Sequence, residues 1–330
     1  MRAFSVRDIG RKLRWSACNA RATRGGVMRL VRQQDCLRIE TPAKINLHFE
    51  LIRRREDGFH DVETLVTPVA LYDTLVFESG PAGEVRLACR WEYPDRVVRR
   101  AGLPEIPDDE RNLVIRAAAL LRAEYEVPYG ASITLIKRIP AGAGMGGGSS
   151  DAAAALVGLA SLWRLPVEPD RLRRLGASLG SDVPLFLVRG ASFCRGRGEL
   201  VTPVGELPPM WFVIARPGFS LATADVYRNT DVPGSPVVGK RWSATLRRGS
   251  VDAIGRLFIN RLEEGACRVE PRMDEFLRRL RRLPGPPWRM TGSGSCCYAV
   301  CDNRRRAWAT ARRAAALPGV CWTTVVPGCS

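Results

Sequence analysis

The sequence predicts an α+β fold, in two domains or one large one. Three observations lead there. The chain has 330 residues, about twice the length of a common domain. Hydrophobic residues make up 45% and charged residues 26%, which is enough for a full core and excludes a wholly disordered chain. Segments of period two and of period 3.6 are interspersed without the strict alternation of a doubly wound sheet.

In chain order, Leu37–Ile52 alternates apolar residues at Ile45, Leu47, Phe49 and Leu51, the pattern of a half-buried strand. Arg53–Gly58 is a charged turn ending in Asp-Gly. Thr64–Glu78 reads as further strands broken by a turn at Tyr72-Asp73, and Glu84–Trp91 as another short strand. Asn112–Tyr125 has apolar residues at helical spacing. Ala131–Ile139 alternates again, and Pro140–Ser150 is rich in glycine. Asp151–Trp163 is an Ala- and Leu-rich helix closed by Pro166, and Pro169–Leu179 is a second. Residues 180–205 read as short strands and turns. Trp211–Ala215 is a buried strand, Asp252–Phe258 and Met273–Leu283 are helices, and Tyr298–Cys301 is a strand following the loop Thr291–Ser295. No internal repeat is visible.

The net charge is +17, which alone favours an anionic partner. Its make-up points away from nucleic acid. Four lysines stand against 47 arginines, the signature of codon bias, and only 7% of residues are aromatic, too few for a base-stacking stripe. Much of the excess lies at the ends, with nine basic and two acidic residues in 1–36 and five arginines without an acid from Asn303 onward. A small anionic substrate drawn to a positive cleft fits the balance equally well.

The ten cysteines form no CxxC pair, and His48 and His60 are the only histidines, so a Cys/His zinc site has little material. Reduced thiols in a cytoplasmic, bacterial protein are the expectation. The longest charge-free apolar stretch, Ala152–Trp163, is twelve residues, short of the roughly 18 needed to span a membrane. Residues 1–36 are read as a basic extension outside the fold, disordered or mis-started before Met28. With serines only at Ser5 and Ser16, plastid import fits this segment less well.

The sharpest signal is Pro140-Ala141-Gly142-Ala143-Gly144-Met145-Gly146-Gly147-Gly148-Ser149-Ser150, five glycines in eleven residues followed by a helix. Glycines let a backbone approach a ligand and turn its N–H groups inward, and the helix adds free N–H groups and its positive end. The segment reads as a phosphate cradle. No Lys-[Ser/Thr] follows, so it is not a Walker A loop. Gly142, Gly144 and Gly147 fit GxGxxG, but a whole subdomain precedes them, unlike a Rossmann turn. A tight strand–helix connection is the plainer alternative.

This loop resembles the phosphate-binding motif of the GHMP kinase superfamily. Thr41-Pro-Ala-Lys-Ile-Asn46, Asp57-Gly-Phe-His60, Leu179-Gly-Ser-Asp-Val-Pro-Leu-Phe186 and Thr291-Gly-Ser-Gly-Ser-Cys296 resemble further motifs of that superfamily, in order, over about residues 38–320. The second and third resemble the branch that phosphorylates a cytidyl diphosphate sugar alcohol. The resemblance implies two α+β lobes: an N-terminal, ribosomal-protein-S5-like ATP lobe over 38–187 and a C-terminal α/β sandwich lobe over 188–320. It implies ATP with Mg²⁺, a small-molecule substrate, neither nucleic acid nor membrane as partner, and a monomer or homodimer. Other superfamily kinases, acting on homoserine or mevalonate-pathway alcohols, are the alternative, and a non-catalytic nucleic-acid-binding relative a more distant one.

The resemblance also implies roles. Asp182 is the general base and Lys44 its partner at the reacting oxygen, with Asn46 positioning Lys44 or the substrate. Residues 140–150 hold the ATP phosphates. Phe59 and His60 form the cytosine site, with Tyr227 as the opposing aromatic, and Thr291, Gly292, Ser293 and Gly294 close over substrate phosphates. Asp151 caps the following helix or touches Mg²⁺, capping being preferred; no metal ligand is assigned. Apolar residues of Leu65–Leu71 are the candidates for the adenine pocket.

Overall fold

The computed structural model describes residues 28–33, 36–205, 207–239 and 249–329. Residues 1–27, most of the basic extension, lie outside the described residues.

Two long strands organise the chain. β2 (Cys36–Arg54) and β3 (His60–Gly80) pair antiparallel along nearly their whole length. With β1 (Arg29–Gln33), β4 (Val85–Trp91) and β5 (Gly130–Lys137) they give the order β1-β2-β3-β5-β4, in which only β4–β5 is parallel. β6 (Ala191–Arg195) pairs with β3 at Thr64–Val66, and β7 (Leu200–Gly205) with β6. These two strands fall beyond residue 187 yet belong to the first sheet, so its hydrogen bonding crosses the lobe boundary expected from the resemblance.

The second sheet is antiparallel, in the order β11-β8-β10-β9: β11 (Val320–Pro327), β8 (Trp211–Pro217), β10 (Cys297–Cys301) and β9 (Trp288–Met290). Phe212, Ile214 and Tyr298 of this sheet pack on Ile45 and Leu47 of β2. The strand expected to be half-buried is therefore buried on both faces: Lys44, Asn46, His48 and Glu50 are as inaccessible as the apolar residues between them. Alternation marked the register correctly, but not the side chains that cover the polar face.

Of the helices described below, five fall on segments that read as helical, and five do not, among them Val183–Phe186 within a stretch that reads as strands and turns. α1 (Asp95–Arg100) precedes α2 (Leu113–Tyr125), which Asn112 caps by accepting from the Val114 N–H. α3 (Gly147–Leu162) starts four residues earlier than read, because Gly147 and Gly148 are its first turn rather than loop. A Cβ at Gly147 would stand 3.1 Å from Lys137 Nζ, so only glycine lets the helix begin there without displacing Lys137. Ala152–Ala155 of α3 are buried on all sides, against the first sheet and α2. α4 (Pro169–Leu179), α5 (Val183–Phe186) and α6 (Thr223–Arg228) follow. α7 (Val251–Leu257), α8 (Leu262–Val269), α9 (Pro271–Arg281) and α10 (Arg304–Ala315) complete the C-terminal half. The arginine-rich face of α9 is tied up locally, Arg278 with Asp274 and Arg279 with Glu275 one turn away. No helix among the described residues is long and apolar enough to cross a membrane.

The turn expected at Tyr72-Asp73 does not exist, and β3 runs through it. Asp73 accepts the backbone N–H groups of Arg138 and Ile139 and pairs with Lys137, so a residue typical of turns serves here as a buried anchor.

The extension also needs correction. Arg29–Gln33 is edge strand β1, hydrogen-bonded to Leu37–Glu40 and Cys36, and Met28 and Leu30 pack on the core. Deleting residues 1–33 will lower the melting temperature by several degrees, as expected for roughly 1–2 kcal/mol of lost burial and pairing. Differential scanning fluorimetry of the full and shortened chains measures this; an unchanged midpoint would show that β1 contributes nothing.

Candidate active site

The ends of the long strands, the glycine loop before α3, α6 and the loop between β9 and β10 enclose a cavity of about 1130 Å³. Its floor is the glycine loop, residues Pro140–Ser149. Gly142, Gly144 and Gly146 have φ of 61°, 72° and 69°, while the intervening Ala143 and Met145 are buried in the core. This alternation anchors the loop from behind and leaves backbone facing the cavity. Two positions admit no side chain. A Cβ at Gly144 would lie 2.0 Å from the Thr291 carbonyl oxygen, and one at Gly146 would lie 2.9 Å from Lys44 Cγ. α3 then starts at the end of the loop, aiming its free N–H groups and dipole at the same space.

Ser150 is not part of the lining. Its hydroxyl is within 2.6 Å of both Thr41 Oγ1 and the Pro42 carbonyl, fixing α3 to β2. Asp151 neither caps α3 nor faces the cavity, since the helix has already begun. It makes a 2.6 Å ion pair with Lys137, which also binds Asp73, and all three are buried. Burial and the adjacent Asp73 push the Asp151 carboxyl upward, against the pull of Lys137. The two carboxylates hold Lys137 protonated despite its burial. Sequence reasoning found neither Asp73 nor Lys137; the isolated lysine in an arginine-rich chain was the available signal.

Lys44 enters from β2, its side chain crossing Gly146. Its Nζ donates to Asn46 Oδ1 at 2.6 Å and lies 3.4 Å from Asp182 Oδ2. A Cβ at Gly292 would be 3.2 Å from the same nitrogen, so the ammonium stands where the two glycine-rich loops meet. Asp182 sits between α4 and α5 with its side chain 44% exposed, against 5% for Lys44. The lysine is fixed and the carboxylate keeps oxygen lone pairs open to the cavity.

Asn46 and Thr291 stand behind this pair, not in the wall. The Asn46 side chain donates to Thr64 Oγ1 at 2.9 Å, and Thr291 Oγ1 accepts the Asn46 backbone N–H at 3.1 Å. Gly292, Ser293 and Gly294 do line the cavity, and Ser293 Oγ is 2.9 Å from Thr223 Oγ1 of α6.

Phe59, His60 and Tyr227 line the other end. The His60 and Tyr227 rings are already in contact, with centroids 5.6 Å apart and planes tilted by 37°. A flat base between two rings needs roughly 7 Å, two van der Waals layers, so none enters between His60 and Tyr227; the pair expected to face each other across the cytosine is Phe59 and Tyr227, both in the lining. Phe49 packs its edge on Tyr227 at 6.2 Å. Phe59 is 53% exposed, a free aromatic face. Burial and the Arg54 charge hold the His60 imidazole below its ordinary value, so at neutral pH it carries one donor and one acceptor nitrogen. Sequence reasoning missed Arg54, Arg197 and Leu113 in the lining. The apolar residues of Leu65–Leu71 are not in it: Leu65, Val66, Val69 and Leu71 are buried in the core, because β3 is covered on both faces.

The donor set forms no all-protein cage for a cation, a kind of site that Mg²⁺ seldom uses. Among the described residues there is no group of three or more His, Cys, Asp or Glu able to cage a metal, and Asp151 is committed to Lys137.

The sequence pattern of the GHMP kinases N terminal domain matches residues 112–190, and that of the GHMP kinases C terminal region matches residues 243–317. The 4-diphosphocytidyl-2-C-methyl-D-erythritol kinase of Shouchella clausii is 36% identical over 269 residues, covering 81% of this chain and 86% of that protein. That of Moorella thermoacetica is 38% identical over 286 residues, covering 85% and 94%. A crystal structure of 4-(cytidine 5'-diphospho)-2C-methyl-D-erythritol kinase superposes with a TM-score of 0.71 at 33% identity, covering 89% of this chain and 99% of that one. Homoserine kinase from Cytophaga hutchinsonii, at 18% identity and a TM-score of 0.65, shares the fold. With two relatives matched over more than four fifths of their length at this identity, the chain belongs to the 4-diphosphocytidyl-2-C-methyl-D-erythritol kinase family of GHMP kinases.

Proposed function

We propose that this cleft transfers the γ-phosphoryl group of ATP to the 2-hydroxyl of 4-diphosphocytidyl-2-C-methyl-D-erythritol, giving ADP and the 2-phosphate, a step of the non-mevalonate route to isoprenoid precursors. The observation that carries the reading is the Lys44–Asp182 pair, 3.4 Å apart, standing between a glycine loop fit for phosphates and an aromatic end fit for a pyrimidine.

The triphosphate rests on backbone N–H groups of residues 140–149 and the start of α3. Asp182 accepts the proton of the 2-hydroxyl and orients that oxygen toward the γ-phosphorus. The new P–O bond forms as the bond to the β–γ bridging oxygen breaks, and the electron pair leaves with ADP. Lys44, held by Asn46, neutralises charge gathering on the transferring group. Mg²⁺ would be held chiefly by the nucleotide phosphates and would supply charge neutralisation there, and no step depends on a protein ligand to it. At the far end the cytosine stacks on Phe59, and neutral His60 meets its edge. The activity is read for a monomer or a homodimer, in the cytoplasm where its nucleotides are.

Three outcomes test this. ADP release with Mg-ATP will occur with the cytidyl substrate and not with homoserine or mevalonate; turnover of either alcohol instead would remove the cytosine site. Asp182→Ala will lower kcat by about 10²–10⁴-fold, the range for loss of a general base. Its melting temperature will hold, because the side chain is half exposed and, among the described residues, pairs with Lys44 alone. Normal turnover in this variant would end the base assignment. Gly144→Ala will abolish ATP binding in equilibrium dialysis, since the new methyl has to push aside the Thr291 backbone.

A further inference from the structure

The turn joining β6 to β7 aims one arginine into the substrate half of the cavity. Arg197 lies between Gly196 and Gly198, whose φ values are 69° and 116°. The turn is pinned on both sides. The Gly196 carbonyl accepts the Val62 N–H at 2.8 Å, and the Arg197 N–H donates to Glu199 Oε2 at 2.7 Å. The guanidinium carbon stands 5.2 Å from the centroid of the Phe59 ring. On its other side, the Cβ position of Gly198 is 3.6 Å from Ser181 Cβ and 3.8 Å from Asp182 Oδ1. The turn thus runs between the aromatic platform, under the Arg197 guanidinium, and the carboxylate of Asp182, beside Gly198.

Most arginines near it are held in ion pairs, though among the described residues Arg54 of the same lining has none. Arg195 pairs with Glu63, Arg228 with Asp225, and Arg55 with Asp57 and Asp61. Among the described residues Arg197 has no ion pair. A half-buried guanidinium with its fork facing a cavity is suited to an anion with paired oxygens.

We propose that Arg197 is a specificity-determining residue that binds the diphosphate of the nucleotide substrate. The inference rests on the cytidyl reading above and deepens it. A cytidyl diphosphate alcohol has its base at one end, its acceptor hydroxyl at the other and two phosphates between. The turn that carries Arg197 lines the wall between those two ends, with Phe59 on one side and Asp182 on the other. The ring contact with Phe59 holds the guanidinium plane while its outer N–H groups stay available.

The test separates ring support from phosphate binding. Dissociation constants of cytidine and CDP are measured by calorimetry for the native chain, Arg197→Gln and Arg197→Lys. In the native chain CDP binds more tightly than cytidine. In Arg197→Gln that advantage shrinks about tenfold, as for loss of a charged hydrogen bond, while cytidine binding stays within about twofold. Arg197→Lys, which keeps the charge but not the fork, recovers part of the advantage. The KM for the cytidyl substrate rises with the Gln variant and the KM for ATP does not. An unchanged preference for CDP in Arg197→Gln overturns the inference. Equal weakening of cytidine and CDP also overturns it, leaving Arg197 as a support for Phe59. Failure of the native chain to bind cytidine would remove the cytidyl reading itself, and this inference with it.

Discussion

The contact on which the site depends is backbone against backbone. The loop at Gly144 lies against the carbonyl of Thr291, closer than any Cβ allows, and the Cys296 N–H donates to the Ala143 carbonyl at 3.3 Å. One loop precedes α3 and the other joins two strands of the second sheet. Their approach brings residues from distant parts of the sequence around Lys44 Nζ. Thr291 extends the contact inward, its hydroxyl donating to the Gly144 carbonyl at 3.3 Å and accepting the Asn46 N–H. A polar cluster this buried persists only when its members satisfy one another. The position of the Lys44 ammonium is thus a consequence of how two glycine-rich segments pack.

The identity of the cations carries the same logic. Codon bias has made nearly every basic residue arginine, yet both described lysines, Lys44 and Lys137, are buried beside the glycine loop. Each sits where a planar fork does not fit: Lys44 beneath Gly146 and Gly292, Lys137 beneath Gly147. A compact ammonium reaches its partners in that space. Arg197 shows the converse, on a wall with room for a flat group over a ring. Shape as well as charge sorts the basic residues of this cleft.

Much of this was legible in the sequence. The glycine run, the Lys44/Asn46 register and the aspartate after Gly180-Ser181 are local signals, and they marked the loop, the ammonium and the carboxylate. What escaped was set by distant partners. Asp73 read as a turn residue because nothing near it in sequence announces Lys137 or the Arg138 and Ile139 amides, more than sixty positions away. Leu65–Leu71 read as a pocket because its covering sheet is built from residues beyond 210. Asp151 looked like a cap because glycine is a poor helix former, and α3 begins on two glycines all the same. β1 was overlooked because its strand pattern lay inside a segment dismissed on charge.

β2 and β3 have a consequence for how the molecule comes apart. The same pair of strands supplies one half with Leu37, Ile39, Leu75 and Phe77, and the other with Ile45, Leu47, Phe49 and Leu51. Neither half owns a complete core without this shared ladder. The two therefore lose structure together, and a single calorimetric transition, with van't Hoff and measured enthalpies in agreement, is the thermodynamic signature of such a chain. Recombinant fragments cut between the halves would inherit edge strands without partners and so a tendency to self-associate.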